Sequence, residues 1–312
     1  MLLLIKYTLL YGIVLMLVAL GGMFSEHSGI INIALEGIMV IGGVAGVLTL
    51  TLLPASTPAW LIVVISILAA AVAGMVYSLL LAFASINLKA DQTIGGTALN
   101  LLATAVAVVL SKYFSESGSA KLNYSNRPFL FSIGGLEMSV FVPLGLALLV
   151  ISFVVMYKTR FGLRLRSCGE NPQAADSLGI NVYKMRYAGT TISGALAGMG
   201  GFVYALTTAN CASTGEVAGF GFLALAVMIF GNWKPLNIAG AALLFGLFKC
   251  IAASYTSIDI NGDGVFLLAQ LGISPHIYRM LPYLVTLVVL AFTSKKSRAP
   301  KAEGIPYDKG KR

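Results

Sequence analysis

Nine apolar runs of membrane-crossing length succeed one another along this chain, near residues 7–23, 30–53, 59–86, 92–112, 140–157, 186–208, 217–232, 236–254 and 276–293. Nothing else in the sequence limits the fold so strongly. Lipid offers no partner to an exposed peptide group, so such runs cross as helices of about 20 residues whose backbone bonds stay within the segment. The chain is read as an all-α integral membrane protein, a polytopic helical bundle of about nine transmembrane helices. Two places leave the count between eight and ten: run 217–232 is short and opens with VAGFGF, and 265–273 (VFLLAQLGI) is apolar but too short to span unaided. Only 11% of the 312 residues are charged, against roughly 25% in an ordinary globular domain, so no separate soluble domain is expected. The first run, MLLLIKYTLLYGIVLMLVALGG, holds Lys6 within it and no clear small-residue cleavage site, and is read as a retained helix, not a secretory signal. Gly42 with Gly46, and Gly194 with Gly198, have the spacing that lets helices pack closely in lipid.

Charge sets the orientation, because short cytoplasmic loops carry the excess of Lys and Arg. Segment 158–187 has six basic residues against Glu170 and Asp176, a net +4, and segment 294–312 has seven against Glu303 and Asp308, a net +5. Together they account for the whole formal charge of +9. Four apolar runs separate them, and an even number lets both face the cytoplasm. The expected organisation is a transmembrane domain over 1–293 with a cytoplasmic loop at 158–187, followed by a basic cytoplasmic tail at 294–312. Segment 113–139 then faces outward, and so does the N-terminus, although Lys6 opposes that placement. Beside a membrane the basic tail reads as a topology signal drawn to anionic lipid, not as a nucleic-acid arm.

Within the loop, ENPQAADSLGI (170–180) carries the signals of a short helix: Asn171 as N-cap, Pro172 at the first helical position, and Gly179 for the left-handed turn that ends it. Ala174, Ala175 and Leu178 are expected to share a face. Physics alone leaves two readings, a helix lying in the membrane interface or one that docks on a partner. An Ala-Ala pair, a Gly a few residues on and an aliphatic residue resemble the coupling loop of ABC importer permeases, which inserts into a groove of the ATPase subunit.

Four further stretches extend the resemblance over essentially the whole chain: FSEHSGIINIALEGIMVIGG (24–43), ADQTIGGTALNLLA (90–103), GFGFLALAVMIFGNWKP (219–235) and MLPYLVTLVVLA (280–291). Together with 162–182 they resemble permeases of the branched-chain amino acid and ribose type, and among those the nucleoside permeases served by basic membrane lipoproteins. The resemblance implies a type II ABC importer fold in a bacterial cytoplasmic membrane, with a nucleoside as solute and ribose or another simple sugar as the alternative. It also implies an external lipoprotein receptor, a second and longer permease forming a heterodimer, and an ATPase subunit held through Glu170, Asn171, Pro172, Ala174, Ala175, Asp176, Leu178 and Gly179. No GxxxxGK[ST] phosphate loop occurs, so ATP and Mg are expected on the partner, with no cofactor and no enzymatic step in this chain.

Polar side chains at membrane depth tend to face a cavity or the bundle interior. Asn32 and Glu36 lie four apart, and Gln92, Thr93, Thr97, Asn100 and Thr104 form a second stripe suited to a hydroxylated, uncharged solute. These mark a candidate substrate path, although each could equally bond helix to helix. Glu216, in the outer segment 209–217, is a candidate receptor-docking charge. Asp259 to Gly264 (DINGDG) copies half a calcium loop, but Gln270 stands where the bidentate glutamate belongs, so a turn is expected. His27, His276, Cys168, Cys211 and Cys250 form no metal or disulfide pattern, nor a nucleophile with its base, which argues against an intramembrane enzyme. An ion-coupled transporter or channel remains the alternative of another class, with Glu36 its thin support.

Overall fold

The computed structural model describes residues 2–54, 56–115, 122–123, 129–133, 136–208, 212–213, 215–255, 274–293 and 298–310. Its helices are α1 (Leu2–His27), α2 (Leu35–Leu52), α3 (Ala59–Ile86), α4 (Gln92–Phe114), α5 (Phe141–Lys158), α6 (Arg160–Glu170), α7 (Pro172–Ser177), α8 (Val182–Thr207), α9 (Phe220–Phe230), α10 (Pro235–Ser254) and α11 (Pro275–Thr293). Each apolar run holds one helix, and α6 and α7 lie in the basic loop.

Six of these, α1 to α5 and α10, are long and apolar enough to cross a membrane. The expected count of nine full crossings meets its clearest obstacle at α9. With 11 residues it rises only about 16 Å, half of a hydrocarbon core of about 30 Å. Its start is fixed by positive φ at Ala218 (49°) and Gly219 (74°), which the helix cannot continue back through. The half-loop 259–264, Gln270, run 265–273 and Cys211 lie outside the described residues.

The bundle is organised around α1 and α8, which pack on each other, with α2 and α3 also against α8 and α10 against α1. Small residues permit this: a Cβ on Gly42 of α2 would collide with the backbone of Gly198 of α8, as the spacing of these glycines suggested. Burial is 83% over the apolar window of α1 but 28% for α3 and 17% for α4. The last two helices therefore form the outer wall.

The linking segments sort to two ends. At one end, β1 (Leu122–Asn123) pairs antiparallel with β4 (Ala212–Ser213), and β2 (Leu130–Ile133) with β3 (Leu136–Ser139). These short ladders lie in the loops of an otherwise all-helical chain, where they satisfy backbone groups that leave the helices. At the opposite end the tail meets α6, where Ala302 N–H donates to Gly169 O at 2.8 Å. The two basic segments thus share one end, as charge and parity required.

Candidate functional site

Both helices of the basic loop are capped by a side chain at their start. Thr159 Oγ1 accepts from Gly162 N at 3.2 Å and starts α6. Asn171 Oδ1 accepts from Ala174 N at 3.0 Å with Pro172 in the first turn. Gly179 takes φ 80°, and Ile180 N–H reaches back to Ala175 O at 3.1 Å, the pattern of a glycine-terminated helix. The helix expected at 171–180 is therefore present, with α6 before it. Sequence reading passed over α6, although Phe161, Leu165 and Cys168 already have the 4 and 3 spacing of one helical face.

The expected common face of Ala174, Ala175 and Leu178 needs one correction. Ala175 is 1% exposed whereas Leu178 is 82% exposed, and Ala174 is exposed with it. Neighbouring residues are about 100° apart on a helix of 3.6 residues per turn, so Ala174 and Leu178 share the outward face while Ala175 and Pro172 point inward. Glu170, Asn171 and Gly179 are exposed, and Asp176 is half-buried. Under α7 lie Cys168, Val182 and Tyr307. Burial pushes the Cys168 thiol up to about 11, with Arg186 opposing, so it stays a thiol.

The described tail is not a free basic arm. Arg298 N–H donates to Asn232 Oδ1 (2.9 Å) and Arg186 Nη2 to Ile305 O (3.0 Å). Gly304 N–H reaches Gly29 O at 3.2 Å, and Lys89 pairs with Asp308 at 3.1 Å. Glu303 meets Glu26, whose Oε2 accepts the Trp233 indole N–H at 2.5 Å. Burial pushes the Glu303 carboxyl up to about 7, with its hydrogen bond to Glu26 pulling the other way. His27, near this cluster, has Nε2 3.1 Å from Trp233 O, and His276 is exposed.

At membrane depth the candidate path residues separate into two roles. Residues 28–34 join α1 to α2 without a helix, and their freed peptide groups need partners. Gln92 Oε1 accepts from Ile31 N (2.7 Å), Asn100 Nδ2 donates to Ile33 O (3.0 Å), and Asn100 Oδ1 accepts from Gly37 N (2.8 Å). Asn32 Nδ2 donates to Ser193 Oγ at 2.8 Å. Gln92 and Asn100 thus tie the α1–α2 link and the start of α2 to α4, and Asn32 ties the link to α8, while Asn32 Oδ1 and Gln92 Nε2 stay buried without a partner among the described residues. Thr93 and Thr97 face outward on α4, so the five-residue stripe does not form one lining surface.

Glu36 is the hub. Its Oε1 accepts from Gly219 N (2.8 Å) and its Oε2 from Gly221 N (2.7 Å), so a carboxylate from α2 caps α9, which has no side-chain cap of its own. A negative group suits the positive end of a helix. A cavity of about 240 Å³ opens beside it, lined by Glu36, Val40, Thr104, Glu216 and Gly219 among others. Glu216, expected at the outer docking loops, is exposed at this rim. The sequence reading missed Lys249 of α10. Its ammonium lies 4.6 Å from the ring centre of Phe220 and 5.2 Å from that of Tyr283, an intramembrane cation stabilised by aromatic faces. A single Lys inside an apolar run was the signal. Among the described residues no group of His, Cys, Asp and Glu is placed to hold a metal.

The chain as a whole is similar to several named transport proteins. Over 317 residues it is 41% identical to the nucleoside ABC transporter permease protein NupC of Lactococcus lactis, covering 97% of this chain and 96% of that one. It is also 41% identical over 323 residues to the guanosine ABC transporter permease protein NupQ of Bacillus subtilis, with 98% and 96% covered. A second Bacillus subtilis protein, the guanosine ABC transporter permease protein NupP, is 28% identical over 236 residues, 72% of this chain and 67% of that one. No solved structure matches. Residues 4–290 match the family described as branched-chain amino acid transport system / permease component, and the chain belongs to that family.

Proposed function

We propose that this chain is the permease subunit of an ATP-driven importer that carries a nucleoside across the bacterial cytoplasmic membrane. The observation that carries the reading is its near full-length identity of 41% to two permeases named for nucleoside and guanosine transport. In this reading α8 and α11 cross with the six apolar helices, α9 enters half-way, and both basic segments face the cytoplasm. The exposed side of α7, with Ala174 and Leu178, meets an ATPase subunit that supplies the ATP and Mg chemistry. Its closure displaces α6 and α7 and tilts the helices around the Glu36 cavity, so transport is conformational and no covalent step falls to this chain.

A lipoprotein receptor delivers solute at the end carrying β1 to β4. A second, longer permease completes the path against the outer wall of α3 and α4; Bacillus subtilis has two guanosine permease proteins similar to this chain, which supports a pair of unlike subunits. The deciding experiment is uptake of labelled guanosine, adenosine and ribose by the assembled complex in vesicles, with and without ATP. ATP-dependent nucleoside accumulation is expected. Accumulation of ribose alone would move the solute to the simple sugars, and uptake indifferent to ATP would overturn the importer reading.

A further inference from the structure

The tail is bonded to three linking segments and two helices at its end of the bundle. Within 298–310 it reaches the α9–α10 turn at Asn232, α6 at Gly169, the α1–α2 link at Gly29, α8 at Arg186 and the α3–α4 link at Lys89. Its Tyr307 is 4% exposed, in one apolar cluster with Cys168, Ala175 and Val182, with its ring 5.4 Å from that of Tyr183 at 62°.

A helix of six residues is far below the length that holds itself together in water. The orientation of α7 is therefore set by what its inward face touches, and on that face Ala175 belongs to one apolar cluster with Cys168, Val182 and Tyr307. On the outward side the tail and α7 form one surface. A groove of about 300 Å³ runs between them, with Gln173, Ala174 and Ser177 on one wall and Tyr307, Asp308 and Lys309 on the other. It adjoins the exposed Leu178.

We infer that tail residues 298–310 form the second wall of the ATPase-docking surface and position α7 within it. This rests on the proposed function, which assigns α7 to the ATPase. The occupant is the ATPase subunit and not a lipid surface: Asp176 and Asp308 on the two walls oppose anionic headgroups, whereas a groove of mixed charge beside an exposed leucine suits a protein edge. Tyr307 is a positioning residue, and Lys309 a contact.

The test uses the assembled complex. Retention of the ATPase on the purified permease, ATP-driven uptake and amide exchange of the tail are measured for Tyr307→Ala, Tyr307→Phe, Lys309→Glu and Leu178→Glu. Tyr307→Ala should weaken ATPase retention by about tenfold or more, a scale set by truncating one buried anchor, and Tyr307→Phe should restore it. Lys309 is exposed, so Lys309→Glu leaves the fold intact and should weaken retention in the same direction. Tail amides should exchange more slowly when the ATPase is bound. Full retention in Lys309→Glu and tail exchange indifferent to the ATPase, while Leu178→Glu releases the ATPase, would overturn the inference and leave the function standing. Full retention in Leu178→Glu as well would remove the ATPase from this face altogether.

Discussion

Glu36 and Gly221 face each other across the bundle, the carboxylate Oε2 accepting the Gly221 amide at 2.7 Å. They come from different helices, α2 and α9, and the contact caps the start of a helix that has no side-chain cap of its own. Removing the acceptor strands buried N–H groups at a cost of about 1–3 kcal/mol each. Glu36→Ala should lower the thermal midpoint of the detergent-solubilised protein by several degrees and abolish uptake. Glu36→Gln, which keeps one acceptor oxygen, should lie between. A midpoint unchanged in Glu36→Ala would show that the cap contributes nothing.

Glu303 gives the tail a pH dependence with a defined sign. Its carboxyl is raised from the ordinary 4.5 to about 7 in the docked tail, so docking favours the protonated form. The stabilisation is complete below about 4.5 and is lost as pH rises through about 7. Protease accessibility of the tail should increase between about pH 5 and 8, and Glu303→Gln, which leaves Glu26 without a second carboxyl beside it, should make that rise shallower. An equally steep profile in Glu303→Gln would place the titration elsewhere.

The two alanines of α7 should behave differently. Ala175 is buried in the cluster that holds Tyr307, so Ala175→Leu should overpack the site, at about 1–3 kcal/mol, and expose the tail to proteolysis. Ala174→Leu, on the outward face, should leave stability and tail protection unchanged. Equal tail exposure in the two variants would contradict the inward turn of Ala175.

Gly198 tests the packing around α8. A Cβ there would meet the carbonyl of Ala70 and lie 3.0 Å from Gly74 Cα, and backbone cannot yield as a flexible side chain does. Gly198→Val should reduce the yield of folded, monodisperse protein to a small fraction. Gly240, where an added Cβ meets nothing within 4 Å, serves as the control for substitution by itself.

Much of this structure is legible in the sequence where the signal is local. The caps at Asn171 and Gly179 are read directly, because both bond to neighbours three to five residues away. The common end of the loop and tail follows from charge counting. What escapes is decided by distant partners. Nothing near Glu36 says that its oxygens are taken by amides more than 180 residues on, and the role of Ala175 depends on Tyr307 at the far end of the chain. The stripe from Gln92 to Thr104 looked like one lining face because its polarity is periodic. The unwound link between α1 and α2 claims two of its members, and an unwound link leaves little trace in an apolar run. Lys249 was overlooked for the opposite reason: one charge in 20 residues hardly alters the mean on which a span is recognised.

The two-residue pairing of β1 with β4 has a mechanical consequence. Hydrogen bonds between Leu122–Asn123 and Ala212–Ser213 close the chain into a frame whose uprights are α5 and α8 and whose far crossbar is α6 with α7. Both uprights pack against α1. Under the proposed transport cycle, a displacement of the far crossbar would reach the opposite rim through two helices that share α1 as a neighbour, instead of through one.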